Sequence, residues 1–446
     1  MIQELVAGRR ALKSKNMENL IEKIVSLAKR RGFIYPGSEI YGGLANTFDF
    51  GPLGVELNNN IKNNWWKTFV QNRSDIYGID GGILMNSKVW EASGHTGKFI
   101  DLLVECKKCH KRFRTDQLER KSCPECGGKL TEPRKFNPMF KTFIGPIEDA
   151  SSVTYLRPET AQAIFINFKN IIDSFHPRIP FGIAQMGKAF RNEITLGNFI
   201  FRKLEFEQME IEYFIKEKDW KKYFEEWKKE MEKWVLSLGV NKKNIRWRPH
   251  KKDELSHYSK RTEDLEYNYP FGGFKELYGL AYRTDFDLKQ HSNTSGKDLR
   301  YQDLETGRKF FPHVIEPSFG MERTILAVLL DAYHEEKDRI VLKLHPKLAP
   351  IKVAVFSLLA NKPELRKKAL EVINKINFIT NWETDVRGNI GKRYYSQDEK
   401  GTPYCITVDF DTLKDDTVTV RDRDTMKQER IKINKLVEYL DKKLNG

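Results

Sequence analysis

The side chains best suited to chemistry are concentrated in a predicted hairpin, with strands at Phe181–Glu193 and Leu204–Phe214. Because alternate residues of a strand share a face, Arg191 and Glu193 would lie on one side of the first strand. Phe206 would share a face of the second strand with further polar side chains, and a basic loop joins the strands. A guanidinium can bind a phosphate, a ring can stack on a base, and carboxylates can bind a metal or an amine. The hairpin therefore has the groups needed to hold a nucleoside triphosphate.

Solvated charges on an ordinary amphipathic hairpin would also explain this pattern. Four glutamates nevertheless crowd the second strand among Phe, Met and Ile residues, and alternation prevents all four from sharing one face. They are Glu205, Glu207, Glu210 and Glu212. Because a buried charge is costly unless it is paired, this density of carboxylates indicates a binding site.

Several runs of sequence resemble the signatures of a known family. Phe190–Glu193 (FRNE) and Phe206–Glu210 (FEQME) are similar to the second signature of class II aminoacyl-tRNA synthetases, in the wording of the homodimeric glycyl-tRNA synthetase family. Tyr41–Trp66 resembles the first signature, which builds the family's homodimer, and His313–Tyr333 resembles the third. Thr154–Thr160 (TYLRPET) is similar to the family's RPET segment. The likeness extends over nearly the whole chain.

The resemblance implies an α+β fold, in which a class II synthetase antiparallel sheet is flanked by helices. A zinc-knuckle insertion and a C-terminal α/β anticodon-binding domain would be added to it. Residues 1–100 would form the N-terminal part of the catalytic domain with the dimer-forming helix and strand, and 101–150 the zinc-binding insertion. Residues 151–346 would form the catalytic core with the ATP and glycine site, and 347–446 the anticodon-binding domain.

The implied activity is that of an enzyme, a glycine–tRNA ligase that joins glycine to tRNA(Gly) through a glycyl-adenylate at the expense of ATP. The catalytic residues would be Arg191, Glu193 and Arg323. The ATP-binding set would be Arg191, Asn192, Glu193, Phe201, Arg202, Phe206, Glu276, Leu277, Gly320 and Arg323. The glycine-binding set would be Arg114, Glu159, Phe206, Glu207, Gln208, Met209, Glu210, Arg283, Glu316, Ser318 and Gly320.

The resemblance also implies how the nucleotide is held. Arg191 would bridge the glycine carboxylate and the α-phosphate, while Arg202 and Arg323 would hold the outer phosphates. Phe206 would stack on adenine, and Glu276 would help to coordinate the metal–triphosphate. Mg²⁺ is expected with ATP because the triphosphate carries more charge than the two outer arginines offset.

Glycine offers no side chain to bind, so affinity must come from its ammonium and its carboxylate. By resemblance, Glu159, Glu316 and Ser318 would hold the ammonium, with Arg283 on the carboxylate. Larger amino acids would be rejected by steric closure, since overpacking a filled pocket costs about 1–3 kcal/mol.

The residues alone leave three of these segments open. Arg157 and Glu159 would share a face of a strand, and a surface ion pair is the simpler interpretation. The acids near Arg283 could pair with it rather than leave it for a ligand. Arg323 falls in the first turn of a helix starting near Met321, where the helix dipole disfavours a cation. A phosphate partner would explain its position, and so would a nearby acid.

Four of the five cysteines form two Cys-x-x-Cys pairs, Cys106/Cys109 and Cys123/Cys126. Four thiolates suit tetrahedral Zn²⁺ and leave no open position for water, so the zinc would be structural. The basic residues around the pairs could face tRNA or simply be solvated. Cys405 stands alone and is expected to be a small buried hydrophobe.

The chain carries a net charge of +15, with 77 Lys and Arg against 62 Asp and Glu. This excess favours a polyanionic partner such as tRNA, although a lysine-rich composition would also produce it. No apolar run is long enough to span a membrane, and the start of the sequence has no apolar signal core. We therefore expect a cytoplasmic protein with its cysteines in a reducing compartment, and the resemblance implies that it is a homodimer.

Hydrophobic periodicity predicts the elements that position the site. Helices are expected at 17–31, 53–70 and 216–238, and a strand at 79–89. The apolar stripe of the second helix, Leu57, Ile61 and Trp65, fits either a core or an interface, and the resemblance favours the dimer interface.

After Pro346 the pattern indicates a smaller α/β domain. Strands are expected at 353–356, 404–409 and 417–421, helices at 363–376 and 433–444, and a turn near Gly388 and Gly391. The candidate RNA contacts are Arg387, Lys392, Arg393, Arg421 and Arg423, and a solvated face is an equal alternative for each.

Two other functions fit part of this pattern. A non-catalytic, synthetase-like nucleic-acid-binding protein would tolerate loss of Arg191 and Arg323, and both are present. A class II synthetase for another small amino acid is disfavoured by Glu159, Glu316 and the wording of the second signature. The loop departs from the family at Leu204 and at Thr195–Gly197, so the resemblance supports the ATP and acceptor-stem contacts of this loop less directly than it supports the role of Arg191.

Overall fold

The computed structural model describes residues 19–445 except 116–117, 119, 195–196, 377–381 and 384–387. The start of the predicted helix at Met17, the departure at Thr195 and Leu196, and the candidate Arg387 therefore lie outside the described residues. Within the described residues, no helix is both long enough and apolar enough to cross a bilayer.

A seven-stranded sheet, here called the large sheet, organises the part of the chain before Pro346. Its strands lie in the order Ile245–Pro249, Arg261–Tyr269, Gly273–Thr284, His313–Gly320, Glu205–Ile215, Phe181–Phe190 and Ile76–Ile79. Every neighbouring pair is antiparallel except the last, in which Ile76–Ile79 is parallel to Phe181–Phe190. Because strands distant in sequence are neighbours at its centre, the sheet brings separate segments together.

The hairpin is shorter on its first strand than expected, since that strand ends at Phe190. The chain then leaves the sheet: the Asn192 N–H donates to the carbonyl of Pro138 at 2.7 Å, while the Arg191 N–H still reaches Leu204 at 2.9 Å. Arg191 and Glu193 are therefore presented from a loop rather than from a strand. The second strand spans Glu205–Ile215.

Helices pack against the large sheet. The longer ones span 19–31, Pro52–Trp66, Ala161–Phe175, Trp220–Ser237, Phe286–Ser295 and Met321–Ala332. Pro52 occupies the first turn, where a proline needs no hydrogen-bond donor. Leu57, Ile61 and Trp65 are fully buried in the core of the same chain. The expectation that this stripe forms the dimer interface is therefore wrong.

The strand predicted at 79–89 is also wrong. The strand ends at Ile79, and a short helix spans Ser87–Ala92. Gly81 and Gly82 interrupt the extended segment, and the Asn86 side chain caps the helix by accepting from the Lys88 N–H at 3.0 Å. A capping residue within an apolar run was the signal for this helix.

The insertion contains a three-stranded sheet of Asp101–Glu105, Arg112–Arg114 and Arg134–Phe136. Isolated β-bridges from Cys106 to Leu130 and from Ser122 to Lys129 close its end. This sheet places the two Cys-x-x-Cys turns against each other.

The C-terminal region is built on a five-stranded sheet with its own hydrophobic core. Its strands lie in the order Trp382–Glu383, Val353–Ser357, Tyr404–Val408, Thr417–Asp422 and Gln428–Lys432, and its longer helices are Pro363–Ile376, Ile390–Lys400 and Leu436–Asn445. The predicted turn at Gly388 and Gly391 is instead the start of a helix, capped by the Asn389 side chain.

Three of the candidate RNA contacts are buried and engaged within the protein, so these predictions are wrong. Arg393 donates to the carbonyls of Ser357 and Leu358 at 2.8 and 2.9 Å. Arg421 binds Asp398 through both terminal nitrogens, at 2.8 and 3.0 Å. Arg423 donates to Asp424 and to the carbonyl of Gly401. Of the other two candidates, Lys392 is exposed and Arg387 lies outside the described residues.

Candidate active site

A cavity on one face of the large sheet collects most of the predicted site residues. The register explains this, because Glu210 lies opposite Ser318, Gln208 lies opposite Gly320, and Gly279 meets Ser318 from the other side. The predicted residues that line the cavity are Glu159, Arg191, Glu193, Phe201, Arg202, Phe206, Gln208, Glu210, Glu276, Leu277, Glu316, Ser318, Gly320 and Arg323. Segments far apart in sequence therefore face a common space.

Arginines dominate one part of the cavity, where two acids accompany them. Arg323 Nη1 lies 3.0 Å from Glu276 Oε2, and Arg202 Nη1 lies 3.7 Å from Glu193 Oε2. The Arg323 guanidinium holds the pKa of Glu276 below its usual value, and Arg191 adds to this effect. The acid partner that was the alternative explanation for Arg323 is therefore present, although about half of the Glu276 side chain remains exposed.

The arginines also repel one another. Burial lowers the pKa of Arg202, Glu193 opposes this, and the charges of Arg323 and Arg114 lower it further. Arg114 itself is paired with Asp101 at 3.1 Å. The structure therefore places Arg114 near the cationic part of the cavity rather than among the acids expected to bind glycine. An anion bound here would relieve the repulsion.

Arg191 is oriented by its surroundings. Its Nε donates to the carbonyl of Pro158 at 3.0 Å. Its guanidinium lies 5.3 Å from the ring centre of Phe206 and 5.5 Å from that of Phe99. Cation–π contacts with two rings hold the guanidinium at the wall of the cavity, beside the ring predicted to stack on adenine.

Carboxylates dominate another part of the cavity. Glu159 Oε2 lies 3.2 Å from His95 Nε2, and Glu159 Oε1 accepts from Gln162 at 2.9 Å. Burial would raise the pKa of Glu159, but His95 and then Arg283 outweigh it and hold that pKa below its usual value. Glu159 is therefore an ionised acid aimed at the cavity.

Two further acids are close to it and are harder to ionise. Glu210 accepts hydrogen bonds from the hydroxyls of Thr160 and Ser318, while burial and the charge of Glu159 raise its pKa. Burial raises the pKa of Glu316 to about 8, against the opposing charge of Arg283. A bound cation would stabilise the charged forms of both.

Arg283 does not occupy its predicted place. It is 1% exposed and does not line the cavity. Its Nε and Nη2 donate to Asp287, both at 2.9 Å, and its Nη1 donates to Glu316 at 2.6 Å. The guanidinium also stacks on Tyr258 at 3.9 Å. Because the acids occupy all three nitrogens, Arg283 positions Glu316 rather than meeting a substrate carboxylate.

Strand alternation turns two further predicted residues away from the cavity. Met209 is fully buried in the hydrophobic core on the other face of the sheet. Glu207 accepts from Asn58 at 3.1 Å and from Lys62, so it ties the hairpin to the helix Pro52–Trp66. Asn192 also lies outside the cavity lining. The run Phe206–Glu210 contains residues of both faces of the strand, and within it Phe206, Gln208 and Glu210 face the cavity.

The predicted surface pair of Arg157 and Glu159 is absent. Arg157 is 2% exposed and donates to the carbonyls of Lys188 and Gly81, at 2.6 and 2.7 Å. Its guanidinium crosses Gly187, where a Cβ would stand 2.1 Å from Nη2. The close approach of Arg157 therefore requires glycine at this position.

Sequence reasoning missed His95, Thr160 and Gln162, which hold the acids of the cavity. His95 lies in a short helix, and its Nδ1 is 2.8 Å from the Ser93 hydroxyl. No periodic pattern connects it to Glu159. The only available signal was the general preference of a buried carboxylate for a histidine or hydroxyl partner.

The four cysteines of the insertion form a compact cluster. Their sulfur atoms all lie within 4.8 Å of one another, with Cys106 to Cys126 at 3.5 Å and Cys109 to Cys123 at 3.6 Å. A tetrahedral ion with metal–sulfur bonds of about 2.3 Å requires sulfur separations of about 3.8 Å. The backbone N–H groups of Lys108 and Cys109 also approach the Cys106 sulfur. The donor set therefore fits a thiophilic metal ion.

Two family models match the chain. Residues 143–333 match the tRNA synthetase class II core domain (G, H, P, S and T), and residues 352–443 match the anticodon binding domain. The first match contains the hairpin and the central strands that line the cavity. The second contains most of the C-terminal sheet and its helices.

Full-length relatives give a consistent result. The glycine–tRNA ligase of Clostridium acetobutylicum is 53% identical over 465 residues, which cover 96% of this chain and 99% of the relative. That of Thermobifida fusca is 51% identical, over 98% of this chain and all of the relative. That of Caldanaerobacter subterraneus is 50% identical, over 95% and 98%. The predicted resemblance is confirmed: the chain belongs to the glycine–tRNA ligase family of class II tRNA synthetases.

Proposed function

We propose that this chain ligates glycine to tRNA(Gly) in two steps. Glycine and ATP first give glycyl-adenylate and pyrophosphate, and the glycyl group then passes to tRNA with release of AMP. The observation that carries the proposal is the distribution of charge in one cavity, where Arg191, Arg202 and Arg323 gather in one part and Glu159, Glu210 and Glu316 in another. A triphosphate and an ammonium are the groups that such a distribution suits.

In the nucleotide part, Arg202 and Arg323 hold the outer phosphates and Phe206 provides the ring for adenine. Arg323 must then exchange Glu276 for a phosphate, which frees the half-exposed carboxylate. Mg²⁺ supplies charge neutralisation when it enters with ATP, and Glu276 is the acid placed to meet it. Glu193 remains beside Arg202 and keeps it oriented.

In the amino-acid part, Glu159, Glu316 and Ser318 hold the ammonium of glycine, and Glu210 joins them from the neighbouring strand. Each charge-assisted hydrogen bond contributes about 1.5–3 kcal/mol. Arg191 binds the glycine carboxylate, because the nitrogens of Arg283 already donate to Asp287 and Glu316. Rejection of larger amino acids follows from the crowding of these acids around the ammonium.

The adenylation step needs no covalent help from the protein. A glycine carboxylate oxygen attacks the α-phosphorus and forms a bond to it, the bond from that phosphorus to the oxygen that bridges to the β-phosphate breaks, and pyrophosphate leaves with that oxygen. Arg191 holds the attacking carboxylate and the α-phosphate together. It thereby positions the two reacting groups and stabilises the charge that develops between them.

We also propose that Zn²⁺ fills the four-cysteine cluster. Cys106, Cys109, Cys123 and Cys126 would supply all four ligands, so the ion would stabilise the insertion and leave no position for a substrate.

A homodimer is the assembly we propose for this chain. Tyr41 and Leu44 lie at the start of the first-signature segment and Ile40 immediately precedes it, and these side chains are 87%, 60% and 88% exposed. An apolar cluster of this kind marks an interaction surface. Sedimentation of the wild type and of Ile40→Asp would distinguish a dimer from a monomer.

ATP–pyrophosphate exchange with each amino acid in turn tests the activity. We expect exchange with glycine and a loss of about 10²–10³-fold in Arg191→Ala, the size typical of removing one transition-state donor. Arg300→Ala is the matched control, because that exposed arginine pairs with Asp298 outside the cavity. Exchange with another amino acid would indicate a different specificity. No exchange with any amino acid would indicate a non-catalytic binding protein.

A further inference from the structure

A buried carboxyl group lies behind the ammonium subsite and is not explained by the proposed reaction. Glu212 is fully buried and does not line the cavity. Among the described residues, neither of its carboxyl oxygens has a hydrogen-bond partner. A charged carboxylate in such a position would carry a desolvation cost of several kcal/mol.

The register of the large sheet determines what faces this group. Glu210 pairs with Ser318 and Tyr213 pairs with Ile315 across the same two strands. Counting along both strands places Glu212 directly opposite Glu316, where side chains on the same face are neighbours. One carboxyl oxygen from each of Glu210, Glu212 and Glu316 lies within 4.8 Å of the other two.

Arg283 distinguishes the two opposed acids. Its Nη1 donates to Glu316 at 2.6 Å, while its other two nitrogens are bound to Asp287. Glu316 therefore has a cation partner that favours its charged form, whereas Glu212 forms no ion pair with any residue that the structure describes. A metal ion is a poorer occupant of the three-glutamate cluster, because it would stand beside the guanidinium already bound to Glu316.

We propose that Glu212 is a positioning residue of the ammonium subsite: when glycine binds and Glu316 loses its proton, the protonated carboxyl of Glu212 donates a hydrogen bond to Glu316 and holds that carboxylate toward the ammonium. This inference rests on the proposed function, since it assigns Glu316 to the substrate. Burial, and then the charge of Glu316, raise the pKa of Glu212 well above its usual value, consistent with a retained proton. Glu159 and Glu210 complete the contacts of the ammonium from their own segments.

Two substitutions of Glu212 test whether its function requires a neutral hydrogen-bond donor or a negative charge. Glu212→Gln keeps an N–H donor without a charge, so the KM for glycine should stay within about threefold of the wild type. Glu212→Leu removes the donor, so the KM for glycine should rise at least about tenfold, with the KM for ATP little changed. Glu263→Gln is the matched control, because Glu263 is a buried acid of the same sheet that pairs with Lys228 and Arg261 outside the cavity.

Infrared spectroscopy gives a readout that does not depend on activity or on the folding of Glu212→Leu. At neutral pH and saturating glycine, which ionises Glu316, the wild type and Glu263→Gln should show the carbonyl band of a protonated carboxyl, and Glu212→Gln should lose intensity there. A tenfold rise in the KM for glycine in Glu212→Gln would overturn the inference, because it would show that the charge matters. An unchanged KM in a folded Glu212→Leu, or a band unaltered in Glu212→Gln, would also overturn it. Absence of glycine-dependent exchange in the wild type would instead refute the proposed function.

Discussion

Glycine binding should depend steeply on pH, because Glu316 must lose a proton to meet the ammonium. Burial raises the pKa of Glu316 to about 8, helped by Glu210 and Glu159 and opposed by Arg283. From an ordinary value of 4.5, this shift corresponds to about 5 kcal/mol between the two protonation states. Below pH 8 the unliganded protein holds Glu316 neutral, so glycine binding must release a proton.

The pKa of Glu316 determines how strongly the KM for glycine should depend on pH. Each pH unit below about 8 should raise the KM for glycine about tenfold, so the KM at pH 6 should be about a hundred times its plateau value. The stability of the unliganded protein should also depend on pH, because an acid whose pKa is raised by folding binds more protons in the folded state than in the unfolded state. The unliganded protein therefore loses stability as the pH rises from about 4.5 through about 8. Glycine should accordingly raise the melting temperature more at pH 8 than at pH 6.

ATP–pyrophosphate exchange at saturating ATP, followed from pH 6 to pH 8, measures this effect. The KM for ATP provides the reference, and glycine keeps its ammonium over this range. Glu316→Gln should raise the KM for glycine and remove most of its pH dependence, whereas Glu263→Gln should retain the wild-type profile. A KM for glycine that is flat in the wild type, or that falls as the pH is lowered, would refute the assignment of Glu316 to the ammonium.

Three further predictions concern the scaffold. Cys109→Ser should lose the bound zinc in metal analysis, while Cys405→Ser, at a buried cysteine outside the cluster, should retain it. Asp398→Asn should lower the free energy of unfolding by about 3–5 kcal/mol in denaturant titrations, because Arg339 and Arg421 would lose their shared buried acid. Asp424→Asn, at a half-exposed acid, should change it by less than about 1 kcal/mol. Gly187→Ala should lower stability by about 1–3 kcal/mol and reduce exchange, because its Cβ would displace Arg157, whereas Gly97→Ala meets nothing within 4 Å and should be neutral.

The sequence identified the hairpin because two independent signals agreed there. Alternation predicted which residues face together, and the resemblance specified the family. Alternation also explains why Glu207 and Met209 fail as glycine ligands, since a contiguous signature necessarily places every second residue on the opposite face. On a strand, about half of the residues of a signature therefore face away from the site.

Where polar residues form the buried face of an element, hydrophobic periodicity has nothing to detect. The helix Ile390–Lys400 buries Arg393, Gln397 and Asp398, so its sequence reads as a polar turn. The same reason explains why Arg393, Arg421 and Arg423 were mistaken for exposed RNA contacts. The strand Gln428–Lys432 was also missed, because it is the edge strand of its sheet and is largely exposed.

The ion pairs of Arg283 show how the cavity obtains its charge distribution. A sequence reveals that an arginine and several acids are near each other, but only the fold decides that Asp287 and Glu316 engage this guanidinium completely. The part of the cavity lined by Glu159, Glu210 and Glu316 then has more acids than cations to pair with them, and the arginines of the nucleotide part retain an excess of positive charge. Each excess raises the free energy of the empty site, as the opposing shifts in the pKa of Arg202 and of Glu316 indicate. Because glycine and ATP carry the missing charges, binding relieves the repulsion that the folded protein maintains, and substrates with the wrong charge gain nothing from entering.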